Sequence, residues 1–155
     1  CESMSSIFEG SNASRVAKAF SDRVWLSWTN RGHQPNQLPS TEALSKAVDF
    51  SIEADVECTL INCSHADMAS NSIKELKRAS RFGIFANSST FKEVDLSVAT
   101  KDVDAIHHLN SEEISAKEYA MIALSWAKEG AFVVGGCCGT TVEHTREIKL
   151  LMDSL

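Results

Sequence analysis

The chain has 155 residues, 43% of them hydrophobic and 23% charged, with 2 prolines and 7 glycines; this suits one globular domain and excludes collagen-like or low-complexity character. Fifteen basic against 21 acidic residues leave a formal charge of −6, which argues against nucleic acid or an anionic membrane as partner. No apolar run, residues 59–61 and 131–134 among them, approaches the roughly 18 residues a membrane helix needs, so no transmembrane helix is expected.

In chain order, the pattern predicts a helix over residues 12–20 and a strand over 24–28, closed by the turn-rich segment 30–40. Ser40 or Thr41 can cap a helix whose apolar positions Leu44, Val48 and Ile52 recur at helical spacing. A short buried-type strand follows over 58–63. A helix is then expected over 69–80, with Ile73 and Leu76 inward and Lys74, Glu75, Lys77 and Arg78 outward. Residues 82–86 read as a third strand and 87–110 as an irregular stretch. Asn110 or Ser111 opens the clearest helix, 112–129, which carries Ile114, Ile122, Leu124 and Trp126 and is stopped by Gly130. A fourth strand, 131–134, runs into Gly135-Gly136-Cys137-Cys138-Gly139, and a last helix spans 141–152, with Thr140 and Glu143 fitting a capping box.

This order is a repeated βα rhythm, which implies right-handed crossovers and a parallel sheet in a single domain, residues 1–155. Two architectures fit: a small doubly wound domain, or part of a (β/α)8 barrel, which usually takes about 250 residues. Both put chemistry at the carboxyl ends of the strands.

Five cysteines, an odd number without regular spacing, do not form a disulfide framework. Adjacent Cys137 and Cys138 could not bridge each other without strain. Reduced thiols are expected, and with the lack of a charged-then-apolar leader they suggest a cytoplasmic setting. Cys63 ends one strand, and Cys137 with Cys138 ends another. In one parallel sheet the three thiols converge, and three thiolates with an open fourth position describe a catalytic-type zinc site. Successive strand residues point to opposite faces, so both neighbours reach one ion only where the backbone leaves strand geometry, as the flanking glycines permit. Spacing alone suits equally a buried thiol at Cys63 and a plain turn at the Cys-Cys pair.

The string Gly135-Gly136-Cys137-Cys138-Gly139-Thr140-Thr141, followed by Glu143-His144, resembles the signature of the homocysteine S-methyltransferase family. Leu60-Ile61-Asn62-Cys63-Ser64 is similar to that family's second cysteine motif, an apolar strand ending in Asn-Cys. Phe85-Ala86-Asn87-Ser88 resembles the end of its seventh strand and Trp25-Leu26-Ser27-Trp28-Thr29 its fifth. Glu2-Ser3, with Glu9 after it, resembles the end of its fourth strand. Three departures stand out: Ala66 and Val142 occupy positions where the family often has proline, and residues 86–90 lack the common Pro-Asn-Ser-Gly form.

The resemblance implies that this chain is the second half, about strands four to eight, of a (β/α)8 TIM barrel, with the amino-terminal half missing. It implies Cys63, Cys137 and Cys138 as ligands of one Zn2+, with the homocysteine sulfur as the fourth. It further implies methyl transfer from a sulfonium or ammonium donor, such as S-methylmethionine or S-adenosylmethionine, to the homocysteine thiol, giving methionine. Glu2 would meet the substrate's amino group, with Asn87 and Ser27 as further polar contacts. The half-barrel alone is expected to be inactive. Two rival readings remain, a non-catalytic zinc-binding scaffold and a thiol redox module built on Cys137 and Cys138.

Other residues have plainer expectations. His33 and His65 follow strands, and His65 is a loop or supporting residue more readily than a fourth ligand. His107 and His108 are expected in solvent, as are Asp95, Asp102 and Asp104, and His144, in the first turn of the last helix, is expected either to order the Cys137-Cys138 loop or to serve a structural role. Trp25, Trp28, Trp126 and Cys58 are expected in the core, and Cys1 has no assigned role.

Overall fold

Four parallel strands, β1 (Trp25–Trp28), β2 (Cys58–His65), β3 (Phe82–Asn87) and a later strand Val133–Gly136, lie side by side in that order in the computed structural model. The structure describes residues 1–32, 34–91 and 111–154. Between β3 and the last of these strands, β4 (Ser89–Phe91) pairs antiparallel with β5 (Ser111–Glu113), so the strand Val133–Gly136 is β6. Short apolar runs with little alternation are what a parallel sheet needs, since helices cover it.

The register sorts the side chains. Leu26, Trp28, Ile61, Ile84 and Ala86 belong to the main core, with Leu44, Ala47, Val48, Leu76, Tyr119, Ala123 and Trp126 from the helices. Ser27, Leu60 and Gly83 stand in one row across the sheet and alternate with that set, so they share its other face. The sheet also curls. The outer strands of a flat four-stranded sheet lie about 14 Å apart. Yet Trp25, at the foot of β1, and Phe132, just before β6, meet edge to face with centroids 6.2 Å apart.

Residues 1–4 continue the sheet beyond β1. The Ser27 amide donates to the Cys1 carbonyl at 2.9 Å, the Met4 amide donates to Ser27 at 2.9 Å, and the Thr29 amide donates to Met4 at 3.1 Å. This is a parallel alignment.

The helices begin and end where local chemistry dictates, and this moves several of the expected boundaries. Helix α1 spans Ile7–Lys18, earlier than its periodicity suggests, because Ser6 caps it and accepts the Glu9 amide at 3.2 Å. Glu9 in turn accepts the Ser5 hydroxyl and amide, which hold its carboxyl below the usual range. Helix α2 spans Leu44–Glu53. The helix expected over 69–80 is instead two short ones, α3 (Ala66–Asn71) and α4 (Ile73–Leu76). Ser72 divides them; its hydroxyl donates to backbone carbonyls of Met68 and Pro35, a local alternative to helical bonding.

Helix α5 spans Ala116–Lys128, not 112–129, because residues 111–113 pair with β4 and Ser115 with Glu118 forms the capping box. β6 lies two residues later than expected. Gly135 belongs in it because a Cβ there would fall 2.8 Å from the Phe85 ring. Helix α6 spans Val142–Met152 and is capped by Thr141, not Thr140, whose amide donates to His144 Nδ1 at 3.1 Å. Among the described residues no helix is long and apolar enough to cross a membrane.

Gly10 sits in α1 against the buried Trp28 ring, where an added Cβ would lie 2.3 Å from its nearest carbon. Trp28 is pinned, because its Nε1 donates to Ser51 Oγ at 3.0 Å. Alanine gains roughly 1 kcal/mol of helix propensity over glycine. Overpacking a fixed aromatic costs about 1–3 kcal/mol, so the clash prevails. Gly10→Ala is expected to lower the midpoint of urea unfolding; an unchanged or raised midpoint would show that Trp28 can move aside.

Candidate metal centre

The site begins with a break in a strand. Along β2 the pairing with β3 slips by one residue between Asn62 and His65. Within that bulge Cys63 has φ 52°, a left-handed conformation uncommon for a residue with a Cβ. Helix α3 starts directly after β2, so no loop carries Cys63 away from the sheet.

The second part is the turn after β6. The Cys137 amide donates to the Ala86 carbonyl at 2.8 Å, and the Cys138 amide donates to Asn87 Oδ1 at 3.2 Å. The Ser88 amide donates back to the Cys138 carbonyl at 3.0 Å. The Cys137 carbonyl accepts the Thr140 hydroxyl at 2.6 Å. Gly139 is required at this turn: its φ is 77°, and a Cβ would sit 2.6 Å from Ser88 Oγ. Below the turn, the buried Tyr119 hydroxyl lies 2.7 Å from the Ala86 carbonyl and 2.8 Å from that of Gly135, holding the ends of β3 and β6 together.

These two backbone devices bring three sulfurs together. Cys63 Sγ lies 3.6 Å from Cys138 Sγ, and Cys137 Sγ lies 3.9 Å from Cys138 Sγ. All three ligand atoms fall within 4.8 Å of one another. Tetrahedral zinc with Zn–S bonds of about 2.3 Å holds its sulfurs about 3.8 Å apart, so the donor set fits that ion in chemistry and spacing. Cys63 and Cys137 are half-buried and Cys138 is exposed, which leaves one side open.

Electrostatics point the same way. Burial, with the neighbouring sulfurs adding to it, pushes the Cys63 thiol up to about 12. Burial first, and then Cys138, also raises Cys137. Three thiolates in so small a space repel one another, and a divalent cation removes the conflict. Cys58 lies apart at the start of β2, fully buried, its thiol pushed up to about 11 by burial.

The other predicted residues separate into groups. Glu2 is exposed at the strand-like segment beside β1, one residue before Ser3, which hydrogen-bonds Asn62. Ser27 is buried, and its hydroxyl donates to Asn62 Oδ1 at 2.8 Å. Asn87 uses Oδ1 to hold the Cys138 amide. His65 does not join the sulfurs; its Nδ1 lies 2.9 Å from Ser89 Oγ and its ring meets Phe91 edge to face. His144 supports the start of α6 and packs on Tyr119. Trp28 and Trp126 are core residues, whereas Trp25 is half-buried, its Nε1 donating to Glu57 at 3.0 Å. Cys1 is exposed. His33, Asp95, Asp102, Asp104, His107 and His108 lie outside the described residues. Tyr119, Ser88 and the side chain of Asn62 support the site without having been singled out in the sequence. Asn62 had a signal in its place directly before Cys63 and Ser88 in the string Phe85-Ala86-Asn87-Ser88; Tyr119 had none.

The sequence profile described as "Homocysteine S-methyltransferase" matches residues 1–152. The chain is 24% identical over 158 aligned positions to homocysteine S-methyltransferase YbgG of Bacillus subtilis (strain 168), covering 100% of this chain and 46% of that protein. The homocysteine methyltransferase MmuM of Escherichia coli has a similar fold. Its apo form superposes with a TM-score of 0.66 at 18% identity, covering 97% of this chain and 48% of that one. Its metallated form gives 0.67 at 17% identity, covering 97% and 43%. The chain thus spans about half the length of the relatives it matches.

The raised Cys63 thiol has a direct consequence for reactivity. A thiol stays protonated below its pKa, and only the thiolate alkylates. In the metal-free, reduced chain, iodoacetamide at pH 8 is expected to modify Cys63 at least about tenfold more slowly than an unhindered peptide thiol. The rate should climb as pH rises toward about 12. Peptide mass spectrometry reads both, and equal rates at pH 8 would contradict the burial described.

Proposed function

The chain belongs to the homocysteine S-methyltransferase family, and on that premise we propose that it is the carboxyl-terminal half, about strands four to eight, of a zinc-dependent methyltransferase acting on homocysteine. The observation that carries this reading is the trio of sulfurs at tetrahedral spacing at the carboxyl ends of parallel strands. Cys63, Cys137 and Cys138 would hold one Zn2+, and residues 1–155 would form one continuous part of a homocysteine-binding barrel.

Three features support the half-barrel. Residues 1–4 add a parallel segment to the four strands, as the end of a preceding barrel strand would. The sheet curls enough for residues near its outer strands to touch. Large apolar side chains are exposed at both ends of the helical layer: Phe8 (77%) and Phe20 (87%) on and just after α1, and Val142 (76%) and Leu150 (58%) on α6. Surfaces of that kind suit burial against the missing amino-terminal half.

Bound zinc would lower the pKa of a substrate thiol and so favour its nucleophilic form at neutral pH. The remaining work falls to the chain. The backbones of Ala86 and Ser88 and the side chain of Asn87 keep the two adjacent cysteines on one side of the mouth. The Glu2 carboxylate is exposed and suited to accept hydrogen bonds from the substrate ammonium. Asn87 has its Oδ1 committed to Cys138, which leaves its amide nitrogen for a substrate contact. Ser27 acts indirectly, through Asn62. A methyl group on a sulfonium or ammonium donor would pass in one displacement to the homocysteine thiolate, formed by release of the thiol proton; the new S–C bond would form as the donor's bond to carbon breaks, giving methionine and the demethylated sulfide or amine. Free thiols are consistent with a cytoplasmic location.

Protein purified under reducing conditions is expected to carry about one zinc per chain, with its sulfur coordination changing on addition of homocysteine. Cys63→Ser and Cys137→Ser should each weaken zinc binding by more than about 100-fold and abolish turnover by the intact enzyme. Metal analysis and a methionine-forming assay check this. An intact, reduced protein without zinc whose thiols cycle with oxidant would favour the redox module instead.

A further inference from the structure

Two bulges stand side by side at the mouth of the sheet. Ser27 donates to the Cys1 carbonyl and accepts from the Met4 amide, so Glu2 and Ser3 together oppose a single residue of β1. On the other side of β1, the extra residue of β2 falls between Asn62 and His65. Each bulge contains a left-handed residue other than glycine, Ser3 at φ 59° and Cys63 at φ 52°. Such conformations persist where surrounding contacts hold them. Glu2 directly precedes the first of these residues, and Cys63 is the second.

One buried side chain joins the two bulges. Asn62 Oδ1 accepts the Ser3 amide at 3.1 Å and the Ser27 hydroxyl at 2.8 Å. Its Nδ2 donates to Ser3 Oγ at 2.9 Å. Both ends of the carboxamide are thus engaged, at 3% exposure, with Ser3 gripped at two points. The residue bonded to Asn62 along the chain is Cys63, and the residue bonded to Ser3 is Glu2.

An amino thiol offers two poles, an ammonium and a sulfur, at a separation fixed by its carbon chain. A site that recognises both must hold their two receptors at a matching separation, and small errors of placement are costly. We infer that Asn62 is a positioning residue that registers the Glu2 strand end against Cys63, and so makes the site selective for thiols that carry an α-ammonium. This rests on the homocysteine reading above.

The test is calorimetric titration of the intact, zinc-loaded protein with homocysteine and with 4-mercaptobutanoate, which keeps the thiol, the carbon chain and the carboxylate but lacks the amine. In the unaltered protein homocysteine should bind the tighter. Asn62→Ala should weaken homocysteine by about tenfold or more while 4-mercaptobutanoate changes by less than about threefold. Zinc content, and the thiolate absorption of the cobalt-substituted form, should be retained. Ser3→Ala, which removes the partner of Nδ2, should give a smaller loss of the same selectivity, and it carries the test alone if Asn62→Ala does not fold. Equal weakening of both thiols, or of neither, overturns the inference. Zinc binding with no affinity of the unaltered protein for either thiol instead overturns the homocysteine reading beneath it.

Discussion

Mutual repulsion among three sulfurs is the constraint from which the rest of the site follows. Burial first, and then their closeness, make these thiols resist ionisation, and the thiolates a metal needs are compatible with one another only around a cation. The chain must bear that crowding without help from covalent links, and it does so with the backbone. Cys63 is turned out of its strand by a bulge, and Cys137 and Cys138 are brought to one side by a turn held through three amide hydrogen bonds to the end of β3 and to Ser88 just after it. Tyr119 closes the arrangement from below, at the junction of β3 and β6.

A parallel sheet suits this task because its strand ends converge. β2 and β6 are separated by β3, and β3 with the residue after it supplies the contacts that align them: Ala86, Asn87 and Ser88 each bond the double-cysteine turn. The helices contribute less directly. α5 lends Tyr119, and α3 follows β2 without a loop, which keeps Cys63 against the sheet.

Much of this was legible in the sequence. The βα rhythm, the three strand-end thiols and the glycine-rich turn all follow from local composition, and local composition is what apolar periodicity and glycine report. What escaped depends on partners distant along the chain. Asn62 binds Ser3, 59 residues away, and no pattern in either neighbourhood announces it. Tyr119 falls within a predicted helix and carries no motif of its own, although its hydroxyl reaches carbonyls at the ends of two strands. Boundary errors have the same origin. Ser72 interrupts a helix because Pro35 and Met68 accept its hydroxyl, and Gly135 joins β6 because the Phe85 ring leaves no room for a side chain.

The last helix lies along α5 and sets Ile148 against the core, but it buries only one residue fully. His144 is the only buried residue of α6, and it ties the helix start at Thr141 to Tyr119. Elements with few fully buried residues open more readily in native-state fluctuations than the core strands do. Opening α6 would pull on Thr141 and so on the turn it adjoins, where Thr140 grips the Cys137 carbonyl. Reciprocity then links the two: whatever the sulfurs capture slows the breathing of α6, and whatever packs against the outside of α6 tightens the grip of the sulfurs. The exposed flank of the terminal helix is in this sense a remote handle on the thiol cluster.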